Sequence, residues 1–82
     1  MNLGLSYEKR NALGCKNLGV SYAKGLGVAR DDRRAAVLFE KSCEGGEAEG
    51  CSNLGVSYDH GLGVPRDSSR AFALFEKACE RG

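Results

Sequence analysis

The sequence predicts an all-α chain, an α-solenoid of tandem helix–turn–helix hairpins, and three observations predict it. The first is an internal repeat. Residues 14–46 and 50–82 align at an offset of 36 residues without a gap, and 23 of the 33 aligned positions are identical. A period in the range of 20–50 residues is the mark of a stacked array, in which each unit buries its apolar face against the next. The second is periodicity: apolar residues recur at three- and four-residue steps, and no segment alternates as a strand would. The third is punctuation. Ten of the 12 glycines fall into register pairs between the two repeats, so they mark recurring turns and close contacts more than general flexibility.

Each repeat divides into two helical segments. In the first, Cys15, Leu18, Gly19 and Tyr22 share one face at i, i+3, i+4 and i+7, while Asn17, Ser21 and Lys24 project from the other. Gly25-Leu26-Gly27-Val28 ends that segment in a tight turn. Asp31 is then placed to cap the second segment, and Asp67 holds the same place in the second repeat. The second segment sets Ala35, Leu38, Phe39 and Ser42 or Cys43 along its apolar stripe, with Arg33, Arg34, Val37, Glu40 and Lys41 outside it. Glu44-Gly45-Gly46 closes the unit. The expected organisation is a partial repeat acting as a capping helix over 1–13, a first repeat over 14–49 and a second over 50–82. The partial repeat rests on Asn2–Tyr7, which matches Asn17–Tyr22 at five of six positions.

Composition narrows the function classes. The chain has 82 residues and a net charge of +1, from 12 basic and 11 acidic side chains. That balance gives no electrostatic footprint for nucleic acid or an anionic membrane. No apolar run reaches the ~20 residues of a membrane span, and the N-terminus does not read as a secretory signal. Four cysteines in so small a chain nevertheless point to an oxidising compartment. The expectation that reconciles the two is a piece of a longer array, periplasmic or secreted if its parent carries a signal peptide. Its ends are expected to leave apolar flanks that promote self-association.

The residues bear on five chemistries. The cysteines contain no C-x-x-C pair and the only histidine is His60, which argues against zinc and against a thiol nucleophile; no cofactor or metal is expected. Ser21-Tyr22-Ala23-Lys24 spells S-x-x-K, a spacing used by serine β-lactamases and penicillin-binding proteins. The accompanying S-D-N and K-T-G are missing, and the second repeat has Ser57 with His60 instead. No catalytic residue is assigned. Gly25-Leu26-Gly27 lacks the third glycine, lysine and preceding strand of a phosphate loop. The basic cluster of Arg30, Arg33, Arg34, Arg66 and Arg70 interleaves with Asp31, Asp32 and Asp67 and reads as a locally neutralised solvated face.

The candidate binding set is Asn17, Ser21 and Lys24 in the first repeat and Asn53, Ser57 and His60 in the second. They occupy matching places on the first helices, away from the core stripe. Asparagine amides there could pair with a partner's backbone or be spent on bonds between neighbouring helices. Val20 and Val56 repeat on the same outward side.

The pattern N-L-G-V-x-Y-x-x-G-x-G-V-x-x-D-x-x-x-A-x-x-x-[FY]-x-K-[AS]-C resembles the Sel-1-like repeat, a relative of the tetratricopeptide repeat. Leu18, Gly19, Tyr22, Gly25, Gly27, Val28, Asp31, Ala35, Phe39 and Lys41 all fall on it. The cysteine-bearing version looks like the cysteine-rich secreted repeat proteins of bacteria. The resemblance implies a right-handed superhelix and an adaptor that holds protein or peptide partners in a concave groove lined by the first helices. It also carries two alternatives: a β-lactamase or penicillin-binding activity described for some cysteine-rich members, and a spacer role within a longer array.

Spacing leaves two cysteine pairings open, beside the alternative that all four are free, small buried residues. Cys15 to Cys79 would span the whole stack. Cys43 and Cys51 flank the short link between hairpins, whereas Cys15–Cys43 with Cys51–Cys79 would close each hairpin at its open end. The eight-residue offset used by the resembled family favours Cys43–Cys51. Cys15 would then look to position 7, which is Tyr7, and Cys79 would remain single. Non-reducing peptide mapping should recover a linked pair of peptides carrying Cys43 and Cys51; one joining Cys15 to Cys43 would overturn the assignment.

Overall fold

The computed structural model describes residues 3–81, with side chains from residue 11 onward. Four helices follow in order: α1 (Leu3–Lys24), α2 (Asp32–Glu44), α3 (Ala48–His60) and α4 (Ser68–Arg81). Each packs against the next, so α1–α2 and α3–α4 form two hairpins joined across α2 and α3, with α1 also touching α3. The described residues contain no strand. The short capping helix expected at the N-terminus is not a separate element. Residues 3–24 form one continuous helix of 22 residues. The side chains of residues 2–10, including Tyr7, lie outside the described residues, as does Gly82.

The turns follow from their residues. Gly61 takes φ +67°, in the left-handed region, and its N–H reaches the Ser57 carbonyl, so a β-carbon there would be strained. The next amide, of Leu62, donates to the same carbonyl at 2.8 Å, and the Asp67 amide returns to the Tyr58 carbonyl at 2.9 Å. The first turn repeats the arrangement: Leu26 donates to Ser21 and Asp31 to Tyr22, both at 2.9 Å. Asp31 and Asp67 then cap the second helices. Their carboxylate oxygens accept the Arg34 and Arg70 amides at 3.1 Å, satisfying a donor that has no partner inside the helix.

Packing depends on which neighbours a helix has. Gly19 and Gly55 let the Phe39 and Phe75 rings lie against the backbone of the paired helix, where an added β-carbon would sit 2.7 Å from a ring carbon. Ala35, Ala36, Phe39 and Leu54 form the shared core, with Tyr58, Val64 and Leu74 packed around it. The apolar stripe predicted for the first repeat needs correction at Leu18. Leu54 is 5% exposed, but its equivalent Leu18 is 46% exposed. This part of the stripe packs on the second helix of a preceding repeat, and α1 has no such helix beside it. At the other end Phe75 is 37% exposed against 5% for Phe39, for the same reason on the opposite flank.

The hairpins are joined by a disulfide between Cys43 and Cys51, whose Cα atoms are 4.4 Å apart. This is the favoured pairing, and Cys15 and Cys79 are unpaired. Gly50 stands beside it. A β-carbon on Gly50 would lie 2.6 Å from the Ser42 β-carbon and 2.9 Å from the Cys43 nitrogen, so only glycine lets α2 and α3 approach this closely. Ser42 is wholly buried there, and its hydroxyl finds no hydrogen-bond partner.

Four stability outcomes follow, each measurable by urea unfolding. Asp31→Ala and Asp67→Ala should each cost about 1 kcal/mol. Phe39→Ala should cost about 3–4 kcal/mol, and Phe75→Ala clearly less, because its ring is only partly removed from water. Breaking Cys43–Cys51 should cost about 2–3 kcal/mol through the loop closure it removes from the unfolded chain. Ser42→Ala should be neutral or stabilise by about 1 kcal/mol, since it removes a buried hydroxyl without a partner; a loss above that size would show that the hydroxyl is satisfied.

Candidate protein-binding groove

The two first helices, α1 and α3, lie side by side and leave a shallow groove of about 140 Å³ between them. Val20, Ala23 and Lys24 supply one wall, and Asn53, Val56 and Ser57 the other. Phe39 and Ala35 rise from α2 to form part of the lining, with Asp32 and Leu62 at the rim. The groove exists because the two turns place α1 and α3 on the same side of the slab, with α2 and α4 behind them. Lys16 on α1 and Glu49 on α3 tie the helices together at 3.4 Å. Its chemistry is apolar surface edged by one amide, one cation and one carboxylate. That set suits an extended peptide, whose side chains seek apolar contact and whose backbone seeks hydrogen bonds.

The six residues singled out in the sequence separate here. Lys24, Asn53 and Ser57 line the groove; Asn17, Ser21 and His60 do not. Asn17 and Lys24 are exposed and Asn53 is half-buried. Ser57 is not outward-facing, as its spacing had suggested: it is 5% exposed, and its hydroxyl donates to the Asn53 carbonyl at 3.2 Å. Ser21 makes the same bond to the Asn17 carbonyl at 3.3 Å. Both serines therefore turn back onto their own helix, a local option open to short hydroxyl side chains. The hydrogen bonds formed at the two asparagines run through their backbone carbonyls. His60 is exposed beside Asp59, at 3.9 Å.

Leu62 and Asp32 were not foreseen as part of the groove. Asp32 opens α2 and Leu62 lies in the turn after α3, and only folding brings them beside the lining of α1 and α3. A second feature was also missed. Arg34 stacks over the Tyr22 ring at 5.7 Å, and Arg70 over the Tyr58 ring at 5.2 Å. Each guanidinium also donates to the phenol oxygen, at 3.5 Å and 3.2 Å. The bond from Tyr58 holds Arg70 above its usual pKa. The signal was available as a Tyr and an Arg 12 residues apart in both repeats. These pairs clamp the second helix of each hairpin to the first, so part of the basic cluster is structural. The expected neutralised face is matched in part: Arg30 meets Asp32 and Arg34 also meets Asp31, both at 3.4 Å, whereas Arg66 donates to the Asp59 carbonyl at 3.0 Å.

Among the described residues no group of His, Cys, Asp and Glu is arranged to hold a metal ion. No described helix is long and apolar enough to cross a membrane. A larger groove of about 500 Å³ lies on the outer flank of the first hairpin, between Leu18, Tyr22, Val37 and Leu38.

Comparison with known proteins agrees with this architecture. The Sel1 repeat model matches residues 12–47 and 48–82. No curated protein matches the chain. Among solved structures, cysteine-rich protein B of Helicobacter pylori is similar, with 38% identity and a TM-score of 0.83 over 87% of this chain and 53% of that one. A Sel1 repeat protein from Oxalobacter formigenes shares 34% identity with a TM-score of 0.84, over 87% of this chain and 29% of its own. A protective antigen of uropathogenic Escherichia coli with an SLR fold shares 36% identity at a TM-score of 0.83, covering 88% of this chain and 15% of its own. The chain thus spans about half the length of the first of these structures and less of the others. Two matches to the repeat, the four-helix architecture and the disulfide between hairpins lead to one conclusion: the chain belongs to the Sel1 repeat family, whose members are generally protein–protein interaction modules.

Proposed function

We propose that the chain is a binding module that holds an extended segment of a partner protein in the groove between α1 and α3. The observation that carries this reading is the lining itself. Val20 and Val56 offer adjacent apolar surface from two helices, and the half-buried Asn53 and exposed Lys24 flank it. An extended peptide crossing the groove could bury alternate side chains on the valines and bond its backbone to the amide. Asn17 stands one repeat earlier on the same helix position, where it would extend contact beyond the groove. The Cys43–Cys51 bridge supports work in an oxidising space, periplasmic or extracellular, where such a bond persists.

A role as a passive spacer and a β-lactamase-like activity compete with this reading. Ser21, the would-be nucleophile, is engaged with its own helix at the Asn17 carbonyl.

Peptides selected from a random library against the purified chain provide the test. Asn53→Ala combined with Val56→Glu should weaken their binding at least about tenfold, or by about 1.4 kcal/mol. Lys77→Glu, on α4 outside the groove lining, should leave it unchanged. Undiminished binding by an Asn17→Ala/Asn53→Ala variant would remove the asparagines from the site, and failure to select any peptide would favour the spacer. Nitrocefin turnover abolished by Ser21→Ala would replace binding with catalysis.

A further inference from the structure

We propose that copies of this chain join end to end, the α4 flank of one copy seating on the α1 flank of the next, and that Cys79 of the first then forms a disulfide with Cys15 of the second. The template is the junction already present inside the molecule. There α2 meets α3: Gly50 admits the Ser42 side chain and the Cys43 backbone, Cys43 bonds to Cys51, and Ala36 packs near Leu54 and Tyr58. The offset of 36 residues carries every one of these positions onto the two outer flanks. Gly14, Cys15, Leu18 and Tyr22 stand on α1 where Gly50, Cys51, Leu54 and Tyr58 stand on α3. Phe72, Ala78 and Cys79 stand on α4 where Ala36, Ser42 and Cys43 stand on α2.

Gly14 is the most telling of these residues. It lies inside α1, has no positive φ, and a β-carbon on it would meet nothing within 4 Å among the described residues. Alanine would fit there and stabilise the helix. Within one copy the missing side chain therefore serves nothing. Its equivalent, Gly50, is the glycine without which α2 could not approach α3. Gly14 keeps that same clearance on a flank where no helix yet lies.

The apolar surfaces agree. Phe72 is 67% exposed on α4. The groove of about 500 Å³ beside Leu18 and Tyr22 is the counterpart of the surface beside Leu54 and Tyr58, which the internal junction lines with Glu40 of α2; Glu76 stands at that place on α4. Cys79 is exposed and Cys15 half-buried, and neither is paired. The contact joins unlike surfaces, so it does not close on itself and adds copies in a line.

The bond needs an oxidant. With a small-molecule disulfide such as oxidised glutathione, the Cys79 thiolate attacks one sulfur and releases a glutathione thiol. The Cys15 thiolate then displaces the second glutathione. Two protein thiols and one glutathione disulfide become one protein disulfide and two glutathione thiols, with the two protons passing to the products.

Two single-cysteine variants test this. Cys15→Ser retains only Cys79 as a free thiol, and Cys79→Ser retains only Cys15. After oxidised glutathione, each alone should remain mostly monomeric on a non-reducing gel. Their mixture should give a dimer whose linked peptides carry Cys15 and Cys79. The parent chain should give a ladder. Gly14→Ala should raise the melting temperature of the monomer yet cut ladder yield at least about tenfold, a combination that a general loss of folding cannot produce. Equal yields of Cys15–Cys15 and Cys79–Cys79 dimers would overturn the proposal. So would a Gly14→Ala ladder at parental yield, or a parent chain that stays monomeric at millimolar concentration, which would assign the flanks to some other occupant.

Discussion

The close approach of α2 and α3 at Gly50 is the contact on which the rest of the molecule depends. A helical hairpin of this kind cannot bury its apolar stripe alone. Only where α3 lies directly against α2 do Leu54, Ala36 and Phe39 come together as one core. Gly50 permits that distance and the Cys43–Cys51 bridge holds it. The remaining core is thin. Most of its buried apolar residues are alanines and cysteines, with Phe39 and Leu54 the large exceptions. A covalent link across the junction therefore contributes a larger share of stability than it would in a bigger domain.

The same junction sets the character of the groove. Because the bridge and the glycine fix α3 against α2, and the turn between α1 and α2 fixes α1, the two first helices are held side by side. Val20, Val56 and Asn53 owe their common surface to contacts made behind them. The Arg–Tyr pairs add to this by tying each hairpin together near its turn.

Equivalent residues in the two repeats meet different fates, and this separates what a repeat encodes from what its neighbours supply. Leu18 and Leu54 are the same residue in the same local pattern, yet one faces water and the other the core. Phe39 and Phe75 differ in the same way. Each outer flank thus displays a surface that the interior shows how to cover, which is why the internal junction can serve as a guide to contacts between molecules.

Much of the architecture was legible in the residues. The 36-residue period, the paired glycines and the aspartate caps determined the helices and turns within the two repeats, because capping and positive φ act within a few residues of one another, but not that α1 runs unbroken over Leu3–Lys24. The register of the cysteines narrowed the pairing to two choices. What the sequence could not reveal was decided by distance. Helical spacing put Ser57 on the outward face, but its hydroxyl turned to the Asn53 carbonyl. It put Leu18 on the buried face, but burial needs a neighbour. It could not bring Leu62 and Asp32 to the groove, or show that Arg34 and Arg70 stack on tyrosines. Periodicity describes one helix about its own axis; which side of that helix is wet depends on which other helices are present, and only the tertiary structure decided that.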